Sequence, residues 1–410
     1  MTSKKRLAIV SSVAAPYRVS QHLRLARELA EEVELWSFIL FERDWLPWKH
    51  ELPAEIHPIQ FGKGESSRQK LHHPLRQWTK TGEVIHALRE KQIDMVIVTG
   101  ANDLGLLRLI RWCHRQGIPI YLFGDSNVSG DTATGIRRLI KDAYIGYAVS
   151  HIDGLLPCGI RGKEFFDRYG GSTKPCFYMP HEPDYRRLFA VTAEDCQQAR
   201  KKYGLAPDKQ YMLYSGRLVA AKGIDTLINA FTQIAEQRPD WNLMLVGGGE
   251  LEAELKQQIP PQLAHRVVWT GFIHDQSELS VLYHCAEVFV LPSRYEPWAV
   301  VVCEAAAAGL VLITSDMVGA GAELCRDGVN GAIFPAGNSA ILADKLLWAT
   351  ENRERLRQLR RESLKALDDW RRRGDPVQGV RLAMAQAGLR SAPEPVEPNP
   401  PTPSEPLQIP

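Results

Sequence analysis

In YEPWAVVVCEAAAAG, residues 295–309, two carboxylates stand eight residues apart around a run of small and apolar side chains. Successive helical residues are rotated by about 100°, so Glu296 and Glu304 would lie about 80° out of phase and cannot share one stripe. Pro297 fits the first turn of a helix and Gly309 its end, which puts Glu296 in the loop before the helix and Glu304 in its body. An ionised carboxylate among Val, Cys and Ala needs hydrogen-bond donors. Sugar hydroxyls would serve, and carboxylates at two depths could hold two sugar rings. The alternatives are an internal Arg partner for Glu304 and helix N-terminal electrostatics for Glu296.

Two further segments carry chemistry. In LYSGRLVAAKGIDTLINAF (213–231), Gly216 ends a strand and Arg217 and Lys222 follow it into a helix. Such an edge could hold a diphosphate by charge-assisted bonds, or the two cations could be ordinary surface residues beside a turn. LVGGGELEAEL (245–255) is a second glycine-rich strand end, but it lacks the GxGxxG spacing of a dinucleotide fingerprint and follows the second strand of its series. It reads either as a loop that lets a nucleotide lie against backbone at Gly247 and Gly248, or as a tight turn.

These groups require elements to position them. Short apolar runs alternate with helical patterns throughout, the signature of parallel α/β architecture. The first series of strands is LAIVSS (7–12), VELWSFI (33–39), MVIVTG (95–100), IPIYLFG (118–124), GLLPCG (154–159) and PCFYMP (175–180). The second is QYMLYSG (210–216), NLMLVGG (242–248), RVVWTG (266–271), VFVLPS (288–293), LVLITS (310–315) and GAIFPA (331–336). The expectation is two Rossmann-like domains, 1–190 and 191–363, facing one another across a cleft that holds the site. Helices over 364–390 should cross back to the first domain, and the proline-rich 391–410 should be disordered.

At 410 residues the chain has room for about two domains. Hydrophobic residues at 44% and charged residues at 24% are the balance of a globular protein, and a formal charge of +2 gives no global field for nucleic acid. Residues 1–190 hold 27 Lys/Arg against 21 Asp/Glu, so this half reads either as favouring an anionic acceptor or peripheral contact with a membrane surface, or as a solvated surface of mixed charge. No run approaches the ~18–20 apolar residues of a bilayer span. The start, MTSKKRLAIVSSVAAPYR, shares features with a signal peptide, but its short apolar run and two serines are read as strand and loop. Seven cysteines without CxxC spacing point to reduced thiols in a reducing, cytoplasmic setting, and no metal site is expected.

Taken together and in order, SGRL-x4-KG, VGGGE, WTGFI, LPSRYEPWAVVVCEAAAAG and DGVNGAIFP resemble the C-terminal domain of retaining, nucleotide-sugar-dependent glycosyltransferases of the GT-B fold, the family known as glycosyl transferases group 1. The E-x7-E pair is the most specific mark, and the resemblance is strong over roughly 205–350. It implies that Arg217 and Lys222 bind the donor diphosphate, stabilising charge on the leaving group. It assigns Glu304 to ribose and Glu296 to the transferred sugar, helped by the amides of Trp298, Ala299 and Val300. Gly216, Gly247 and Gly248 would line the nucleotide pocket, with Phe272 and Ile273 near the base. Relatives often have glycine where Ala299 stands. The donor would be UDP-, GDP- or ADP-linked, with no metal or cofactor required, and the acceptor a glycan, a lipid-linked molecule or a small molecule.

The first half departs from that pattern. Its first loop, SVAAPYRVSQ, is not glycine-rich, and Tyr17 and Arg18 are expected on the acceptor or donor side, unless Arg18 caps a turn. Where many relatives carry a histidine, YLFGDSNVSG offers Asp125 or Ser126. Asp125 would act as a hydrogen-bond acceptor or base, or either residue would cap a helix. His151 and His181 read as structural. Rival functions are a sugar-nucleotide epimerase or phosphorylase, an NAD dehydrogenase, and a non-catalytic sugar-nucleotide-binding subunit.

Overall fold

The computed structural model describes residues 4–42, 52–67, 74–101, 103–390 and 406–407. The chain divides into two compact units, residues 1–181 with 374–397, and residues 182–373 with 398–410. The expectation of disorder over 391–410 falls outside the described residues except at Pro406 and Leu407.

The first unit alternates strands β1 (Lys5–Ser11), β2 (Val33–Ile39), β3 (Ile59–Gln60), β4 (Met95–Thr99), β5 (Ile120–Gly124) and β6 (Gly154–Pro157) with helices α1 (Pro16–Glu28), α2 (Pro74–Glu90), α3 (Leu104–Gln116), α4 (Gly135–Ser150) and α5 (Ile160–Asp167). All pairings are parallel, in the order β3-β2-β1-β4-β5-β6. Covered on both faces, the central strands are continuous apolar runs, and Ala8, Ile9, Val10, Val96, Ile97 and Val98 are fully buried. Asp103 caps α3 by accepting from Leu106 N at 2.9 Å, and Gly117 ends it at φ 67°.

PCFYMP (175–180) is not a strand. It runs beside β6 with ladder-like bonds, Phe177 N donating to Leu155 O at 3.0 Å and Met179 N to Pro157 O at 3.0 Å. Pro175 and Pro180 at its ends have no N–H to extend the ladder.

In the second unit, α6 (Tyr185–Phe189) and α7 (Ala193–Tyr203) lead into β7 (Gln210–Ser215), α8 (Ile224–Ile234), β8 (Trp241–Val246), α9 (Glu252–Gln257) and β9 (Val267–Gly271). There follow α10 (Gln276–His284), β10 (Val288–Leu291), α11 (Val300–Ala307), β11 (Val311–Ser315), α12 (Gly321–Leu324), β12 (Gly331–Phe334), α13 (Ser339–Ala349) and α14 (Arg353–Arg373). This sheet is parallel too, in the order β12-β11-β10-β7-β8-β9.

Two boundaries differ from expectation. The first unit ends at His181 rather than at 190, because α6 packs against α10 and α11, with Tyr185 and Leu188 buried and the His284 ring 2.9 Å from Leu188 O. The return to the first unit starts at Gly374 rather than at 364. Residues 364–373 complete α14, which lies on α11 and holds Gly309 O through Arg360 Nε at 2.8 Å. After Gly374, Asp375 caps α15 (Pro376–Gln386), which joins the first unit through Arg24–Asp375 and through Tyr121 Oη donating to Ala383 O at 2.8 Å.

Candidate functional site

The strand order of the second unit reverses between β7 and β10, and in such sheets ligands bind beyond the carboxyl ends at that reversal. The loops after β7 and β10 carry Gly216, Arg217, Lys222 and Glu296. Lys222 Nζ donates to the Glu296 carboxylate, the two side chains being 17% and 12% exposed. Arg217 is exposed, and among the described residues nothing pairs with its guanidinium. Behind them Arg294 grips Asp225 with two bonds of 2.9 and 2.6 Å, tying the loop to the start of α8.

Backbone bonds fuse the neighbouring strand ends into a shelf. Gly216 N donates to Val246 O at 2.9 Å, Leu218 N to Gly248 O at 3.0 Å, and Gly247 N to Gly271 O at 3.0 Å. At Gly247, φ 136°, a Cβ would sit 1.9 Å from Gly216 O, so only glycine permits this approach. Phe272 stands 40% exposed beside the shelf, its Cβ 3.6 Å from where a Cβ on Gly248 would be, with Ile273 half-buried next to it.

Helix α11 begins at Val300, not at Pro297. Residues 296–299 are held instead by the 317–320 loop: Glu296 N donates to Met317 O at 3.3 Å, Gly319 N to Glu296 O at 3.1 Å and Ala320 N to Trp298 O at 2.7 Å. Any side chain at 319 would collide with Pro297 O, 2.0 Å from its Cβ. These bonds force Ala299 to φ 82°, ψ 83°, a left-handed conformation that suits glycine. The chain thus keeps a glycine-like turn with alanine in it. Trp298 is buried against Trp370, ring centres 5.6 Å apart, so the turn is fixed from beneath. The amides of Ala299 and Val300 open the helix without intrahelical acceptors.

Glu304 lies in the second turn of α11, half-buried, and its partner is a tyrosine rather than an arginine. Tyr283 Oη, from α10, donates to its carboxylate at 2.6 Å. Burial pushes the Glu304 carboxyl up to about 6, while that hydrogen bond favours the ionised form. Burial and the Glu304 charge hold the Tyr283 phenol well above its ordinary range, so it stays a donor.

The first unit has its own reversal, between β1 and β4. A cavity of about 260 Å³ opens there, lined among others by Arg18, Asp103, Asp125, Ser126, Lys141 and Tyr144. Arg18 Nη1 donates to Ser12 Oγ at 3.0 Å, and its Nε is buried without a protein partner, as are Tyr144 Oη and Thr99 Oγ1. Asp125 is half-buried and no described residue pairs with it. Neither Asp125 nor Ser126 is a cap, since Asn127 accepts from Gly130 N at 3.0 Å. Tyr17 is not part of this lining; its ring packs edge-on against buried His181, 4.6 Å between centres. His181 is held neutral by burial and by the Arg18 charge, and His22 is lowered to about 3 for the same two reasons. His151 packs against Tyr147 and His114. Both histidines at 151 and 181 are packing residues here.

The donor-side candidates therefore gather at the carboxyl end of one sheet, while Arg18 and Asp125 meet in a cavity of the other. Tyr283, Gly319, Arg294, Asp225, Lys141 and Tyr144 had no signal in the spacing of the motifs, because tertiary packing alone brings them to the sites.

Residues 195–366 match the glycosyl transferases group 1 family. That match takes in less than half of the chain and falls within the second unit. The mannosylfructose-phosphate synthase of Agrobacterium fabrum is 31% identical over 188 residues, 43% of this chain and 38% of that protein. A GDP-mannose-dependent monoacylated alpha-(1-6)-phosphatidylinositol monomannoside mannosyltransferase of Corynebacterium glutamicum is 31% identical over 241 residues, 57% of this chain and 61% of the relative. The chain thus spans less than two thirds of the length of each. The solved structure of HepE from Anabaena in complex with UDP superposes with a TM-score of 0.71 at 18% identity, covering 94% of this chain and 100% of that one. The fold is accordingly GT-B, with two Rossmann-like domains.

Proposed function

We propose that the chain transfers a sugar from a nucleotide-sugar donor to a glycan or lipid-linked acceptor, with retention of anomeric configuration and without a metal ion. The observation that carries this reading is the pairing of Glu304 with a tyrosine donor beside a Lys222–Glu296 pair, all at the strand reversal of a group 1 domain. A carboxylate with one phenol donor keeps acceptor capacity for the two hydroxyls of a ribose.

In this reading the exposed Arg217 and the nearby Lys222 take the diphosphate, and their charges stabilise the leaving group as the glycosidic bond breaks. Glu296 then accepts from hydroxyls of the transferred sugar, whose oxygens the amides of Ala299 and Val300 also face. The nucleotide lies along the Gly216–Gly248 shelf, its base near Phe272 and Ile273. Arg18 and Asp125 belong to the acceptor side, with Asp125 placed to take a proton or a hydrogen bond. Solved relatives of this fold are described as complexes with UDP and with UDP-glucose, and one sequence relative as GDP-mannose-dependent, which favours UDP or GDP as the nucleotide.

The test is a thermal-shift and turnover screen against UDP-, GDP- and ADP-sugars, with and without a chelator, followed by NMR of the product's anomeric proton. Stabilisation by one nucleotide class with chelator-resistant turnover and retained configuration is expected. No stabilisation by any donor would end the donor-site reading; binding without turnover would leave a sugar-nucleotide-binding subunit; an epimerised donor would indicate the epimerase.

A further inference from the structure

Lys222 stands in a short turn, Ala220–Lys222, between β7 and α8, and Arg294 stands two residues before Glu296 on the loop after β10. Arg294 holds that turn on both sides of Lys222. Its amide donates to Ala221 O at 2.9 Å and its Nη1 to Ala220 O at 2.9 Å. Its Nη1 and Nη2 reach the two carboxylate oxygens of Asp225 at 2.9 and 2.6 Å. A planar guanidinium makes such a fork, and an ammonium cannot.

The two loops are also in close backbone contact. At Gly223, φ 64°, a Cβ would sit 2.3 Å from Pro292 O, so only glycine permits the approach. Lys222 N donates to Val219 O at 2.9 Å, which fixes the turn from its other end. The backbone around Lys222 is thus held at several points, and its side chain reaches Glu296. A lysine carries one point charge on a flexible four-carbon stem, so the place of its Nζ depends on how its backbone is held.

Stability does not account for this arrangement. The Arg294 and Asp225 side chains are 43% and 38% exposed, and ion pairs this open contribute little to folding. The consequence of the four bonds is local: they set the turn of Lys222 against the loop of Glu296.

We propose that Arg294 and Asp225 are positioning residues for Lys222, a clamp that holds its ammonium where the donor diphosphate binds. This role rests on the donor-site reading, in which Lys222 meets the diphosphate. Neither Arg294 nor Asp225 needs to touch the ligand.

Charge and position predict opposite signs at Asp225. Removing an acid three residues from Lys222 would tighten the binding of an anion if Coulomb attraction alone decided. Loss of the clamp weakens it, because the carboxamide of Asp225→Asn presents an N–H where Arg294 needs an acceptor. Arg294→Lys makes the complementary change, keeping the charge and losing the fork.

The test is calorimetry of the full chain with UDP, GDP and ADP. Arg294→Leu, Arg294→Lys and Asp225→Asn should each weaken the nucleotide that the wild type binds by about fivefold or more. In a Lys222→Ala background the same three substitutions should change nothing further, since the residue they place is gone. Thermal unfolding of the ligand-free chain should stay near the wild-type value in all of them. Wild-type affinity in Arg294→Lys or tighter binding in Asp225→Asn would mean that charge decides, and would overturn the proposal. An undiminished loss in the Lys222→Ala background would overturn it too, because the clamp would then act without Lys222. If Lys222→Ala weakens binding and Arg294→Leu does not, the clamp falls and the donor site stands. If Lys222→Ala binds like the wild type, or the wild type binds no nucleotide, the donor-site reading falls and takes the clamp with it.

Discussion

Tyr283 Oη sits 2.6 Å from the Glu304 carboxylate, joining the end of α10 to the second turn of α11 at the reversal of the second sheet. A bond to a charged group contributes about 1.5–3 kcal/mol, and here it offsets part of the cost of burying a carboxylate. Tyr283→Phe removes only that donor. Glu304 would then be raised further above its ordinary 4.5, and a carboxyl raised in the folded state loses stability as pH climbs through its folded value. Tyr283→Phe should therefore destabilise the protein more at pH 8 than at pH 5. Thermal unfolding at the two values is the measurement, and an equal loss at both would show that the bond does not tune Glu304.

The same sign sets the pH dependence of ligand binding. With the Glu304 carboxyl at about 6, acid conditions leave it protonated, a poorer acceptor for ribose hydroxyls. Nucleotide affinity should rise as pH increases through about 6, and Glu304→Gln should flatten that step while weakening binding on the alkaline side. Titration of the bare nucleoside diphosphate across pH 5–8 reads both effects. A step that persists in Glu304→Gln would have to come from another group.

Lys222 and Glu296 are bonded to each other, yet their assigned partners differ, so their substitutions should separate. Lys222→Ala removes a charge-assisted bond to phosphate and should weaken binding of the diphosphate about tenfold or more. Glu296→Gln keeps the shape, leaves Lys222 available and should spare nucleoside diphosphate binding while cutting turnover. Calorimetry with the diphosphate, set beside initial rates with the full donor, distinguishes the two. Loss of diphosphate affinity in both variants would mean that the pair acts as one structural unit.

Much of this is legible in the sequence. VELWSFI (33–39) coincides with β2, and most other strand runs agree to within a few residues, because strands buried on both faces must be continuously apolar. PCFYMP is as apolar as a strand, but its prolines lack the N–H groups that a ladder needs. The return to the first unit differs from the expected 364 for a related reason: apolar spacing runs on through Gly374–Asp375–Pro376, the stop, cap and first-turn signature at which the chain leaves the second unit. Pro297 satisfied a local rule for helix starts, yet the start is set three residues later by bonds from 317–320 that no local pattern contains. Tyr283 lies 21 residues before Glu304 on a different helix, so only the fold could introduce them.

Ala299 shows what that tertiary constraint costs and gives the last prediction. Left-handed backbone at a non-glycine residue costs roughly 1–2 kcal/mol. Replacing Ala299 by glycine relieves this, but it adds about 0.5–1 kcal/mol of chain entropy to be lost on folding, and removing a buried methyl costs about 0.8 kcal/mol. These contributions nearly cancel, so Ala299→Gly should change stability by no more than about 1 kcal/mol. Ala305, fully buried inside the same helix, has no strain to relieve. There the entropy and methyl losses add, and Ala305→Gly should cost about 2 kcal/mol. Ala299→Val, β-branched at a positive φ, should cost at least about 2 kcal/mol and weaken donor binding by displacing the Ala299 and Val300 amides. Urea unfolding followed through Trp298 and Trp370 fluorescence compares all three. If Ala299→Gly cost as much as Ala305→Gly, the turn would be unstrained, and the amides would owe their placement to something other than the 317–320 loop.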